Sequence, residues 1–432
     1  MLLAILCGML FGAVPAWQSA LTNPAEGLRE STRGGRGTRS QRMFQNGLII
    51  GEIALSLVSL VGAGLLMRSF VSMLKVDPGF RSERVLVNTL LVLPRYKYPE
   101  NYQRVNFFRT LLERLGGLPG VEASGGITSI PLQGNSFFSP FRIQGRPTDP
   151  DGKLMAAVMN VVTPGYFNTM GIPLRKGRWF TDNDGGQSPR VAVINDVVAK
   201  RFFGNTDAVG QQIFIRAQGD QPYTVIGIVG SSRQFNITSA PNPEIFTNYQ
   251  QSTMSYMYVL VKTKGDPTIL IPTIRRVVAE IDPEQPVGHR TLVQQMENAV
   301  AQPRLYTLLV GMFAALALLL AMVGVYGVMS YAVSQRTQEI GVRMALGAHR
   351  NHVLRLFLAS SFRIVFIGVA AGLALALALN RVMANLLFNV KSTDAFTFTL
   401  AAGLLCVAAL VASYLPARRA TRVNPIIALR HE

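Results

Sequence analysis

The sequence predicts a multi-span α-helical membrane protein carrying one large extracytoplasmic α+β domain, and three observations predict it. Five apolar runs approach or reach the roughly 20 residues a bilayer-crossing helix needs. Basic residues crowd the short segments beside those runs, the bias that marks cytoplasmic loops. Between the second and third runs, residues 75–303 have the composition of an ordinary soluble domain, long enough to enclose its own core. The totals agree: of 432 residues, 49% are hydrophobic and 15% charged, against roughly 25% charged in soluble globular chains.

Residues 1–17 form the first apolar run. A secretory signal is the competing reading, but the run lacks a positive n-region, so it is read as a transmembrane helix. Residues 18–45 are rich in Arg, Gly, Ser and Thr and poor in large apolar side chains, which predicts a mobile cytoplasmic linker. The second span occupies 46–74 and carries Glu52, an acid inside an apolar run and therefore a functional candidate. The remaining spans fall near 306–333, 353–383 and 396–415, within a C-terminal permease portion of 304–432. Small-residue spacings at Gly47/Gly51 and Gly368/Gly372 allow close helix approach.

Orientation follows from the short loops. The Arg-rich 21–45 stretch, the 335–352 segment with Arg336, Arg343 and Arg350, and the tail 416–432 are cytoplasmic. The N-terminus, the 75–303 block and the 385–395 loop are then outside. Much of the formal charge of +18 sits in these membrane-flanking segments, so a nucleic-acid partner is not predicted. Cys7 and Cys406 lie in apolar runs, and His289, His349, His352 and His431 are scattered. Neither set builds a disulfide framework, a metal site or a triad.

The external block reads as strand, helix, strand at 85–92, 101–115 and 121–127, and it closes with a strand at 257–262 and a helix at 269–281. Between these ends, strands at 156–162, 190–195, 213–216 and 223–229 and a helix near 196–203 make a more β-rich middle. The prediction is a β-α-β subdomain built from both ends of the block, interrupted by a β-rich one. Asp182 and Asp184 imitate the start of a calcium loop, but Val193 stands where the EF-hand needs Glu, so a turn is the reading. With no phosphate-cradling Gly-x-x-x-x-Gly-Lys-[Ser/Thr] motif and no catalytic constellation, the chain is not expected to be an enzyme or to hold a cofactor.

Two motifs narrow the function. Residues 15–29 (PAWQSALTNPAEGLR) and 416–430 (PARRATRVNPIIALR) repeat in register at Pro15/Pro416, Ala16/Ala417, Asn23/Asn424, Pro24/Pro425, Leu28/Leu429 and Arg29/Arg430. Equivalent cytoplasmic exits are implied, with residues 1–17 as the end of a preceding repeat and the chain as a fragment or a shortened relative of a double-length permease. Between the third and fourth spans runs SQRTQEIGVRMALGAHRNHVLRLFL, residues 334–358. There Glu339 and Arg343 share a helical face and Gly347 suits a C-terminal cap.

The pattern of Arg336, Glu339, Ile340, Gly341, Arg343, Ala345, Gly347 and Ala348 resembles the coupling segment of the MacB/FtsX-type ABC permease family. The ending Asn424-Pro425 to Glu432 resembles that family's C-terminus. The resemblance implies a porter-like external subdomain, a permease that pairs with itself or with a second permease half, and a separate ABC ATPase. That ATPase would dock on Arg336, Glu339, Ile340, Gly341, Arg343, Met344 and Gly347. It also implies a bacterial inner-membrane location, with room for a periplasmic adaptor and an outer-membrane channel. Export is the expected function; the alternative is a signalling permease that activates an external enzyme without moving substrate.

Overall fold

The computed structural model describes residues 39–88, 90–134, 136–146, 154–335, 350–379 and 387–420. The predicted span at 1–17, most of the linker and the tail after Ala420 lie outside these residues. The chain divides into two compact units, one of Ser69–Tyr306 and one of the residues up to Arg68 and from Thr307 onward.

In the Ser69–Tyr306 unit, half the strands close on themselves. Strands β4 (Phe138–Ile143), β5 (Ala156–Val162), β7 (Val191–Asn195), β8 (Gln212–Ile215), β9 (Pro222–Val229) and β10 (Glu244–Asn248) pair in the ring β4–β8–β9–β7–β10–β5 and back to β4. Period-two alternation sends one face of every strand inward. Phe141 and Ile143, Ala157 and Met159, Ala192 and Ile194, Ile213 and Ile215, Tyr223 and Val225, and Ile245 form one core. A short helix, α4 (Asp196–Val198), runs on into a π turn at Ala199–Phe203 and adds Val198, Phe202 and Phe203 to that core. Asn195 starts it, its Oδ1 accepting from the Val198 amide at 3.0 Å. Strand β6 (Leu174–Gly177) lies on β9.

The ends of the unit build an open sheet. Strands β3 (Val121–Ile127), β11 (Tyr256–Thr263), β1 (Val85–Asn88) and β12 (His289–Thr291) run in that order, and β2 (Leu91–Val92) adds to β11. The sequence suggested one strand over 85–92, where the structure has two short ones. Helices α2 (Asn101–Gly116) and α5 (Ile271–Ile281) pack on the sheet through Phe107, Phe108, Leu111 and Leu115 and through Ile274 and Val278, against Leu86, Val259 and Val261. The four-residue spacing of Phe107, Leu111 and Leu115 makes one helical stripe. Two cores thus realise the interrupted-subdomain architecture, and closure of the interruption into a barrel is the added finding.

Barrel and open sheet join edge to edge at β3 and β5, where one register pair is formed among the described residues, Ile127 with Val162. Threonines extend this join. Thr128 Oγ1 accepts from the Val161 amide at 3.0 Å, and Thr163 Oγ1 accepts from the Gly126 amide at 2.8 Å. Helix α3 (Tyr166–Met170) covers the join, and Gly125 is required there: a Cβ would lie 2.7 Å from Tyr166 Cα. On the outer face of the barrel, Phe246 packs edge-on to Phe167 at 5.1 Å, and Glu244 beside it is 1% exposed. Burial pushes the Glu244 carboxyl up to about 8, with only a 3.5 Å hydrogen bond from Ser232 Oγ opposing the rise.

Among the described residues, four helices are long and apolar enough to cross a membrane. They are α1 (Arg39–Leu74), α6 (Leu292–Gln335), α7 (Arg350–Ala378) and α8 (Ala395–Ala420). Ile49, Ile53, Leu57, Val61 and Leu65 recur every fourth residue on α1 and meet Ala321 and Val325 of α6, Val365 and Val369 of α7, and Leu405 and Ala409 of α8. Three boundaries differ from expectation. Helix α1 starts at Arg39, inside the predicted linker, because its polar first turns continue the hydrogen-bonded spiral of the span. Helix α6 starts at Leu292, well before the span predicted near 306, with a first stretch that belongs to the Ser69–Tyr306 unit. Helix α8 passes through Pro416, which forfeits one backbone hydrogen bond without ending the helix.

Candidate functional site

The coupling residues Arg336, Glu339, Ile340, Gly341, Arg343, Met344 and Gly347 lie outside the described residues. The structure delivers the elements on either side of them, α6 ending at Gln335 and α7 beginning at Arg350. Glu52 is described. It sits half-buried on α1, and its carboxylate lies over Gly324 of α6, so close that a Cβ on Gly324 would collide with Oε2. Among the described residues no arginine or lysine pairs with this carboxylate. One turn along α1, Ser56 Oγ donates to the Ala317 carbonyl at 2.8 Å, a second polar tie between the same two helices.

Glycine placement sets the other close approach. A Cβ at Gly368 would strike Ile53, and one at Gly372 would lie 3.0 Å from both Cα and the carbonyl oxygen of Ala54, so α7 lies backbone to backbone on α1. Gly47 and Gly51 have nothing within 4 Å of an added Cβ, so the close approach expected of that pair is not made among the described residues. Spacing alone cannot distinguish the two pairs, since it does not say which face of the helix is covered.

The bundle is fastened at two further points. Arg68 pairs with Asp394, which also accepts from the Thr397 amide at 2.9 Å and from the Thr397 hydroxyl at 2.6 Å, and the Arg68 guanidinium lies 5.5 Å from the Phe396 ring centroid. The Thr397 donors, with Arg68 adding to them, hold the Asp394 carboxyl below its ordinary value. Arg419 of α8 donates to Tyr326 Oη of α6 at 3.0 Å.

In the Ser69–Tyr306 unit the calcium-like stretch is a structural turn. Asp184 is buried, takes a two-pronged hydrogen bond from Arg178 at 2.7 and 2.8 Å, and accepts from the Thr181 amide at 2.8 Å. The Arg178 guanidinium holds its carboxyl below the usual range. Among the described residues no cluster of His, Cys, Asp and Glu is suited to a metal.

Four membrane-length helices, with a strand-rich domain inserted between the first and second, define a multi-pass membrane permease. Residues 47–277 match the model of the MacB-like periplasmic core domain, and residues 311–425 match that of the FtsX-like permease C-terminal region. The chain belongs to the MacB/FtsX-type ABC transporter permease family. It is a multi-pass inner-membrane protein with a periplasmic domain.

Among its relatives is the macrolide export ATP-binding/permease protein MacB of an Azoarcus species, 25% identical over 394 residues, 87% of this chain and 57% of that protein. Another is the pyoverdine export ATP-binding/permease protein PvdT of Pseudomonas syringae pv. tomato, 29% identical over 289 residues, 62% of this chain and 42% of the relative. The chain thus spans about half the length of the curated relatives it matches. The crystal structure of the periplasmic region of MacB from Actinobacillus actinomycetemcomitans aligns with 52% of this chain and 97% of its own, at 14% identity and a TM-score of 0.36.

Proposed function

We propose that this chain is the permease subunit of an ABC-type export system, in which a separate ATPase drives movement of the periplasmic domain. The observation that carries the reading is α6. Its 44 described residues form one helix that follows β12 of the sheet unit and runs to Gln335, the last described residue before the coupling motif. Pro303 inside it removes one backbone hydrogen bond without ending the helix, and at about 1.5 Å per residue the 44 residues span about 66 Å, a continuous element able to transmit axial displacement. The chain itself performs no hydrolysis in this scheme. Its cytoplasmic segment 335–352 receives the ATPase, the C-terminus is cytoplasmic, and the N-terminus and the 75–303 block are outside.

Two related permease surfaces would complete the assembly, from a second copy or a second half. An adaptor and an outer-membrane channel would continue the export path. Relatives named for macrolide and pyoverdine export support export of a small organic compound as the task. Glu52 acts in this scheme as the polar contact through which α1 registers displacement of α6, because a carboxylate in an apolar span is costly to retain without a task.

The test is photocrosslinking from native membranes with a photoreactive residue at Met344. Capture of an ABC-type ATPase, lost in the Glu339→Ala/Arg343→Ala double variant and kept in Glu52→Gln, is the expected result. A correctly folded protein that captures no ATPase would refute the coupling role.

A further inference from the structure

The join between barrel and open sheet borders a cavity of about 450 Å³, inside the range of about 300–1,000 Å³ typical of small-molecule sites. Its walls come from both subdomains. Tyr256 and Tyr258 belong to β11 of the open sheet, Met159 belongs to β5 of the barrel, and Gln133 and Phe137 lie on the connection between them. Thr128, whose hydroxyl holds the Val161 amide across the join, is part of the lining.

The chemistry of this lining is specific. Among the described residues no Asp, Glu, Lys or Arg lines the cavity. Its polar groups are hydroxyls and an amide, and Gln133 Nε2 donates to Tyr258 Oη at 2.7 Å, which sets the direction of both side chains. Ser136 Oγ is buried there without a hydrogen-bond partner among the described residues. At the rim, Phe137 is 60% exposed and Tyr256 38% exposed. Alongside, Phe138 stacks on Phe235 with centroids 5.6 Å apart. Exposed aromatic rings over a polar, uncharged floor suit a ligand with one apolar ring face and several neutral donors and acceptors. An ionic ligand would find no counter-charge there.

We propose that this cavity binds a neutral, hydroxyl-bearing molecule with an apolar ring face, the chemistry of a glycoside, and that occupancy fastens the barrel to the open sheet. The join supplies the reason for the second part. With one register pair and two threonine hydroxyls across it, β3–β5 has the fewest paired residues of the lateral contacts in the sheet among the described residues, so a ligand touching both sides adds to what holds them. Neither part depends on the ATPase reading.

The experiment uses the full chain in lipid nanodiscs, since alkyl-maltoside detergents carry the same head-group chemistry. The probe is 4-methylumbelliferyl β-chitobioside, titrated by fluorescence anisotropy. Saturable binding is expected, weakened by about fivefold in Gln133→Ala and in Phe137→Ala, as loss of one hydrogen bond or stacking contact predicts. Tyr258→Phe, which keeps the ring and loses the hydroxyl, should weaken binding similarly, and Tyr102→Ala on α2 should leave it unchanged. In the bound state, hydrogen exchange at the Val161 amide should slow. Absence of saturable binding, or equal binding by all variants, would overturn the site. Binding that leaves Val161 exchange unaltered would overturn the fastening.

Discussion

At the residue scale, Glu52 and Glu244 show how differently a carboxylate can be read. Glu52 was visible in the sequence as an acid among apolar residues. Its notch was not, because Gly324 lies far along the chain and nothing local marks which span faces which. Glu244 stood in an unremarkable Pro-Glu-Ile stretch, and its burial depends on β5, β7 and α3 closing around it. Its carboxyl, raised from 4.5 to about 8 by that burial, stays protonated in the folded protein at neutral pH. An unfolded chain would release the proton near 4.5. The stability contribution of the protonated group is therefore complete below about pH 4.5 and is lost progressively as pH rises toward 8. Glu244→Gln removes this titration, so the fall in melting temperature between pH 5 and pH 8 should become smaller in the variant. Thermal unfolding of both proteins across that range measures it, and parallel curves would contradict the buried neutral carboxyl.

At the element scale, strands with regular alternation or β-branched runs were legible, and those without were not. Residues 121–127 and 156–162 were read with their observed limits. Strand β10 (EIFTN) was missed because all five of its residues are buried, with polar ones among them, so no period-two signal remains. Strand β4 was hidden by Pro140, and β6 by its exposed Arg175, Lys176 and Gly177. The glycine pairs in the spans carry a prediction of the same kind. Gly372→Ala must push the α1 backbone away at Ala54 and should destabilise the bundle by about 1–3 kcal/mol, as overpacking does. Gly51→Ala meets nothing within 4 Å among the described residues and should be neutral or slightly stabilising through helix propensity. Unfolding in detergent separates the two outcomes; a loss at Gly51 instead would mean that this face packs on another copy.

At the scale of the whole molecule, the four spans among the described residues and the inserted domain followed from hydropathy and composition, while barrel closure did not, since β5 and β10 are distant in sequence and pair in parallel. The N-terminal extension of α6, from Leu292 to the span predicted near 306, also escaped, because apolar content marks only the part that follows it. Its continuity makes a direct prediction. Inserting Gly-Gly after Arg304 should leave ATPase capture at Met344 intact while abolishing export, and retained export would show that force travels by another route. The nesting of one subdomain in the other has a temporal consequence. Strand β1 pairs with β11 and β12, and Val85 meets Lys262, so the open sheet stays incomplete until the last part of the domain has been synthesised. The barrel, from Phe138 to Asn248, holds all the strands of its ring and does not wait. As the chain emerges across the membrane, the insert reaches its final form first, and its host assembles around it afterwards.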